Sequence, residues 1–368
     1  MTTPRGLEGV EVDTTAVSLV DGANGALSYR GIPIETLIHR PFTRVAYLVL
    51  TGTDPDARTL AQFEAELNRA SPLTDDDEHG LRLVARLPLH PMQALIALAP
   101  LLTHTDGAFA QFGDAARGVS IAARLPAVLA RLLALRHGRS APRFAADDSD
   151  PNARFLAAIG CPSDARLIRA FNVTQILQIE HGFNASTFAA RVIASTLAPV
   201  ENALAGAFGA LHGKLHGGAD EAALAMAEQV GSPEAAAAYV DNCLARHVKI
   251  MGMGHREYRV LDPRARYVKA FASELAADSP LANTAATLVA IESHMARRMR
   301  AKGKPVHANL EFYKGVVYRA VGLPPDFFTP AFALARVFGY VAHFIESRVD
   351  NRLIRPAARY VGAVPIPG

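Results

Sequence analysis

The chain has 368 residues, half of them hydrophobic and 20% charged, and its formal charge is only +3 at pH 7. That length supports one large domain or two around a sizeable core, and the composition excludes disordered and fibrous classes. So small a charge gives no reason to expect nucleic acid or a membrane surface as partner, and two distant cysteines, Cys161 and Cys243, make neither a disulfide framework nor a zinc site.

The opening residues, MTTPRGLEGVEVD, lack the apolar run of a signal peptide. Residues 7–29 alternate and carry Gly22 and Gly25, which predicts one or two short strands with tight turns, Gly31 following. Beyond Ile34 helical periodicity takes over: 46–50, 57–68, 81–87 and a Pro-flanked segment 92–102, the last too short to span a bilayer. Residues 119–136 place Ile121, Leu125, Val128, Leu129, Leu132 and Leu135 on one face of a helix that Pro126 is expected to kink or break. Residues 139–152 read as a polar loop, and a helix after Asp164 runs towards the segment EHGFNAST, followed by another to Ala198. Helices are then expected at 203–211, 219–230, 233–251, 266–276, 282–302, 311–321 and 330–347, with loops at 253–263 and 304–309 and an irregular tail from Asn351. The fold class is all-α with a small β element near the N-terminus; the strand–helix alternation of a doubly wound fold is missing. A reducing cytoplasm suits the cysteines and the polar N-terminus.

Three stretches carry candidate chemistry. The first, 211–221, sets His212 and His216 among Gly213, Gly217 and Gly218, just ahead of a helix. A glycine-rich turn lets the backbone approach a ligand closely, and a histidine beside a helix start can meet a developing negative charge. A surface turn with two histidines is the plainer alternative, and the glycines argue against a metal site on a rigid helix face, since no HExxH pattern follows. The second stretch, 251–266, places Gly252 and Gly254 before His255 in a basic surround of Arg246, Lys249, Arg256, Arg259, Arg264, Arg266 and Lys269, guanidinium groups being suited to carboxylates and phosphates. The third, 307–315, holds Glu311 ahead of a helical run, where an exposed first-turn glutamate is the commoner case. Together with Arg336 and Arg355, the set matches condensation of an enolate with a keto acid. A carboxylate takes a carbon-bound proton, one histidine holds the enolate oxygen, another polarises the acceptor carbonyl, and arginines hold carboxylates.

The chain resembles the citrate synthase family along nearly its whole length, most specifically in EHGFNAST, LHGGADEA, MGMGHREYRVLDPRA, NLEFYKG and FALARVFGYVAHFIE. The length is similar to that of the shorter dimeric members. The resemblance implies a two-domain helical fold, a large domain of residues 1–217 and 323–368 with a smaller domain of 218–322 closing over the substrate. It implies that acetyl-CoA and oxaloacetate give citrate and CoA through an enolate and citryl-CoA, with acetyl-CoA as cosubstrate and no bound cofactor or metal. His216 would hold the enolate, His255 would polarise and protonate the oxaloacetate carbonyl, and Glu311 would be the base. His181, Arg264, Arg336 and Arg355 would bind oxaloacetate, Arg355 reaching across a homodimer. Ile250, Met251, Gly252, Met253 and Gly254 would hold the adenine end of CoA, with Lys304 at a phosphate. His212 receives no catalytic role.

Four departures stand out. Glu311 replaces the family's aspartate, and the extra methylene moves the carboxylate by roughly 1 Å, a misplacement that can cost about 10²-fold in rate. Intrinsic basicity is nearly the same, with reference pKa values of about 3.9 and 4.3. Lys214 replaces a proline, Asp220 an asparagine and Glu257 an apolar residue; two new carboxylates would oppose an anionic substrate unless Lys214 or Arg259 offsets them. One rival keeps the fold and uses propionyl-CoA, as a 2-methylcitrate synthase, because one methylene gives only about 1–3 kcal/mol of discrimination. The other is a non-catalytic relative that binds oxaloacetate or CoA.

Overall fold

The N-terminal alternation becomes a three-stranded antiparallel meander: Ser18–Asp21 (β1), Ala26–Tyr29 (β2) and Ile32–Pro33 (β3), in the order β1-β2-β3. Val20 pairs with Leu27 and Tyr29 with Ile32. Asp21 turns the first hairpin by accepting the N–H groups of Ala23 and Asn24 on its carboxylate. The structure is a computed structural model, and it describes residues 5–7, 9–102, 104–105, 107–140 and 150–363. The sheet has one strand more than the alternation predicts.

Helices make up most of the other described elements. They run α1 (Ile34–Leu37), α2 (Phe42–Thr51), α3 (Ala57–Ala70), α4 (Asp75–Ala85), α5 (Pro91–Leu98), α6 (Ala116–Arg136), α7 (Pro151–Ala158) and α8 (Ala165–Gln178). They continue as α9 (Ala185–Ser195), α10 (Val200–Leu211), α11 (Ala219–Val230), α12 (Ala236–Ala245), α13 (Ala265–Ala276), α14 (Ala282–Ala301), α15 (Leu310–Ala320) and α16 (Phe328–Val349). Helix α16 is the axis of the core: its residues from Phe328 to Phe344 are all buried, and α2, α6, α8, α9 and α10 pack around it. A second set, α11 to α15, packs on itself and meets α8 through α13 and α15.

Three expectations change. Helix α6 runs unbroken through Pro126, because burial on nearly every side holds the helix although proline removes one backbone hydrogen bond. Pro151 does not extend a loop but opens α7, where Asp150 accepts the N–H groups of Asn152 and Ala153. The expected helix 233–251 is a 3₁₀ turn followed by α12, which stops at Ala245. His247 adopts a left-handed conformation (φ 55°) there, and the Val248 N–H donates to the Cys243 carbonyl, a helix-ending motif more usual at glycine. Residues 141–149 of the expected loop 139–152, and 364–368 of the irregular tail, lie outside the described residues.

The segments most able to cross a membrane by length and apolarity are the regions of α6 and α16, not 92–102, and 89% and 94% of their apolar windows are buried inside the protein. Their apolarity is that of core helices.

Candidate active site

Histidine, arginine and carboxylate side chains converge where the C-terminal end of α8, the loop after α12, the start of α15 and the middle of α16 meet. Residues 250–254 and 307–309 are tied together as a short antiparallel bridge: Met253 pairs with Ala308, Gly254 N–H donates to His307 O, and Asn309 N–H donates to Gly252 O. Gly252 is required there. Its φ is 77°, and a Cβ would sit 2.9 Å from the Phe312 Cα. Asn309 also caps α15 through the Glu311 N–H and donates its amide to Gly254 O. The bridge brings the His255 loop and the first turn of α15 into one unit, a link between residues 55 positions apart that no local pattern signals.

His255 has a defined tautomer. Its Nδ1 accepts the N–H groups of Glu257 (3.0 Å) and Tyr258 (3.4 Å), so in the neutral ring the proton sits on Nε2. Nε2 lies 3.4 Å from Arg264 Nη2. Both are donors, so this approach is not a hydrogen bond between them. Burial, with the Arg264 charge, lowers the His255 pKa to about 4. Arg264, at the start of α13, is buried in a bidentate pair with Asp262 at 2.9 Å on both arms, and Asp262 also accepts the Leu310 N–H. Burial alone would raise the Asp262 pKa; the arginine pulls it below its ordinary value.

His181 follows α8 and lies edge-on to His255, ring centroids 5.2 Å apart, with Nε2 3.1 Å from the Tyr258 hydroxyl. Burial and the surrounding cations hold it neutral, well below the usual imidazole range, and burial pushes the Tyr258 phenol up, so both groups are uncharged where they meet. Arg336 is buried in α16, its Nε donating to Gln178 O at 2.6 Å and its guanidinium 4.6 Å from the Phe332 ring centroid.

His216 sits in the glycine turn between α10 and α11. Gly217 makes that turn possible: a Cβ there would lie 2.3 Å from Leu211 O. His216 Nε2 is 2.7 Å from Ser186 Oγ, which is also 2.7 Å from Asn184 Oδ1 and takes a hydrogen bond from Tyr340. Ser186 has one proton and two candidate acceptors; when it goes to Nε2, the ring proton lies on Nδ1 and can be donated to a ligand. Burial, Arg336 and Lys314 lower the His216 pKa to about 3. His212 instead stacks on His90 at 4.6 Å. Glu311 stands in the first turn of α15, paired with Lys314 at 2.5 Å.

The structure thus brings together His181, His216, His255, Arg264, Glu311 and Arg336, with Ile250, Met251, Gly252, Met253 and Gly254 beside them. It does not bring in Lys304 or Arg355, which are exposed in the single chain. The counter-charges also differ from expectation: Asp220 is buried and faces Lys314 at 3.3 Å, whereas Lys214 and Arg259 are exposed. Glu257 is exposed too, and contributes its N–H to His255. Sequence reasoning passed over Ser186, Tyr258, Asp262, Lys314 and Tyr340. Ser186 lay within a quoted motif, and Lys314 falls at helical spacing from Glu311, so both had a usable signal. Among the described residues no group of three or more His, Cys, Asp or Glu side chains is arranged to hold a metal ion.

The family model for the C-terminal domain of citrate synthase matches residues 6–357. A citrate synthase of Deinococcus radiodurans is 35% identical over 98% of this chain and 96% of its own length, and a 2-methylcitrate synthase of Shewanella oneidensis is 34% identical over 99% and 96%. A Thermoplasma acidophilum citrate synthase, solved with carboxymethyl coenzyme A and oxaloacetate, superposes with a TM-score of 0.89 at 28% identity, covering 98% of this chain and 97% of that one. The all-α fold with its small N-terminal sheet is therefore that of the citrate synthases, and the chain belongs to this family of acyltransferases.

Proposed function

We propose that the chain is a citrate synthase, condensing acetyl-CoA with oxaloacetate to citrate and free CoA. The observation that carries this reading is the meeting of two neutral histidines of different tautomeric constraint, a buried arginine beside one of them, and a carboxylate at a helix start. Glu311 removes a proton from the acetyl methyl group, and His216, with the Ser186 proton turned to its Nε2, donates from Nδ1 to the enolate oxygen. The enolate carbon attacks the oxaloacetate carbonyl, and His255 donates the Nε2 proton to the forming alkoxide. Water then cleaves the citryl-CoA thioester, giving citrate and CoA thiol. His181, Arg264 and Arg336 hold oxaloacetate. Residues 250–254 and Lys304 hold CoA, and Arg355 is proposed to serve the site of a second copy in a homodimer.

Residues 218–322 are proposed to close as a smaller domain over 1–217 and 323–368. Supporting this, α11 to α15 pack mainly on one another. The protein is proposed to work in the cytoplasm.

The second reading, 2-methylcitrate synthesis from propionyl-CoA, is favoured by relatives of that name at nearly the same identity. CoA thiol release from acetyl-CoA and propionyl-CoA, each with and without oxaloacetate, separates the two. Oxaloacetate-dependent release that prefers acetyl-CoA is expected; preference for propionyl-CoA selects the second reading, and no release from either refutes both.

A further inference from the structure

Lys314 stands one helical turn beyond Glu311 on α15, and none of the roles above employs it. Its side chain is wholly buried. Nζ lies 2.5 Å from Glu311 Oε2, 3.3 Å from Asp220 Oδ2 and 3.3 Å from Gln178 Oε1, and 4.0 Å from the Phe332 ring centroid. A buried ammonium is costly unless it is paired, so the two carboxylates and the amide oxygen fix its place. We propose that Lys314, with Asp220 as its counter-charge, is a positioning residue that fixes the Glu311 carboxylate for proton abstraction and balances its charge. The proposal rests on the function proposed above.

The positioning half follows from geometry. Glutamate has one more rotatable bond than aspartate, and a carboxylate with that freedom wanders unless it is held. Lys314, on the same helix, holds Oε2 as an ion pair at 2.5 Å, and Oε1 is the oxygen proposed to receive the proton. The charge-balance half follows from counting charge. With Asp220 ionised, the group of Asp220, Lys314 and Glu311 carries one excess negative charge, and proton uptake by Glu311 brings it to neutrality. With Asp220 protonated, the same uptake leaves an uncompensated buried ammonium. The charge on Asp220 therefore sets the charge left on the cluster once Glu311 has taken the substrate proton.

Asp220 is poised for that change: burial, reinforced by the Glu311 charge and opposed by Lys314, raises its pKa to about 7. The groups facing it are Lys314, Glu311 and the Tyr318 phenol from α15, while its own Oδ1 accepts the Glu221 N–H on α11. From α8 and α16 the near neighbours are the neutral Gln178 and Phe332, and Arg336 with Lys314 acts on His216 in the preceding turn. Of the charged side chains of α14, Glu292 pairs with Lys269 and Tyr313, and His294 and Arg298 pair with Asp241.

The test compares the wild-type protein with Lys314→Gln, Lys314→Arg and Asp220→Asn by CoA thiol release across pH 5.5–9, alongside carboxyl ¹³C NMR titration of the same proteins and of Glu311→Gln. Lys314→Gln is expected to lower kcat by about 10²-fold with little change in the KM for oxaloacetate, and Lys314→Arg to recover part of the loss. Asp220→Asn is expected to lower kcat and abolish the limb near neutral pH. Unchanged kcat and pH profile in Lys314→Gln and Asp220→Asn would overturn the proposal. If Lys314→Gln does not fold, Asp220→Asn carries the same decision. A wild-type protein inactive with both thioesters refutes the function by itself. The NMR titration then decides the cluster: the Asp220 midpoint should rise in Lys314→Gln or shift in Lys314→Arg, and fall in Glu311→Gln, and a midpoint that stays put in all of them overturns it.

Discussion

Three histidines of the site share one electrostatic situation with a consequence for stability. His181, His216 and His255 are each held below the ordinary imidazole pKa, chiefly by burial and then by nearby cations, to about 3 for His216 and about 4 for His255. In the unfolded chain they titrate near 6.5. The unfolded state therefore binds more protons as pH falls below about 6.5, and folding stability is lost progressively towards pH 4. Asp220 opposes this, since its raised pKa lets the folded state take up a proton between about 4 and 7. Three groups outweigh one, so the melting temperature should fall between pH 6.5 and 4, and His216→Asn with His255→Asn should flatten that slope. A melting temperature that climbs on acidification would contradict the neutral assignment. At constant pH, His255→Ala should lower kcat by about 10²–10⁴-fold, the usual worth of a general acid, while oxaloacetate still raises the melting temperature. The identities of these residues were legible because glycines and a recognisable order framed them. Their tautomers were not, because those depend on amide groups and a serine hydroxyl that only the fold brings near.

Helix α15 shows how an element turns a side chain into a tool. Its start is set by Asn309, which caps the helix and also reaches the Gly254 carbonyl, so the base and the His255 loop share one anchor. Asn309→Ala should destabilise the protein by about 1 kcal/mol, the usual worth of a cap, and should also lower kcat, as urea melts and thiol release would show. Gly252→Ala places a methyl group against α15 at a left-handed position. It should cost more than about 1 kcal/mol and raise the KM for acyl-CoA more than that for oxaloacetate. Periodicity located α11, α13, α14, α15 and α16 to within a residue or two because each pairs an apolar face with clear ends. It failed at Pro126 and Pro151 for opposite reasons. Proline at the first position of α7 suits the helix, while proline inside α6 is overruled by packing that a window of sequence does not contain.

For the molecule as a whole, the exposed Arg355 gives the dimer proposal a direct test. Arg355→Ala and His255→Ala should each be inactive alone. Subunits re-assorted at random should regain about a quarter of wild-type activity, since half the dimers are mixed and each has one intact site. No regained activity, with mixed dimers shown by mass spectrometry, would place Arg355 in its own subunit's site or none. The small N-terminal sheet was expected, but its task was not. Gly22 accepts the Arg259 N–H, which braces the His255 loop against a hairpin more than two hundred residues away, a tertiary pairing without local pattern.

Helix α16 runs through the centre of the core, yet it follows every other described helix in chain order. Until residues 328–349 leave the ribosome, α2, α6, α8, α9 and α10 lack the surface they pack upon. Their apolar faces must wait for one late arrival. Nascent chains stalled before residue 328 should therefore be cut readily by protease and bind general chaperones, with resistance appearing abruptly once α16 has emerged.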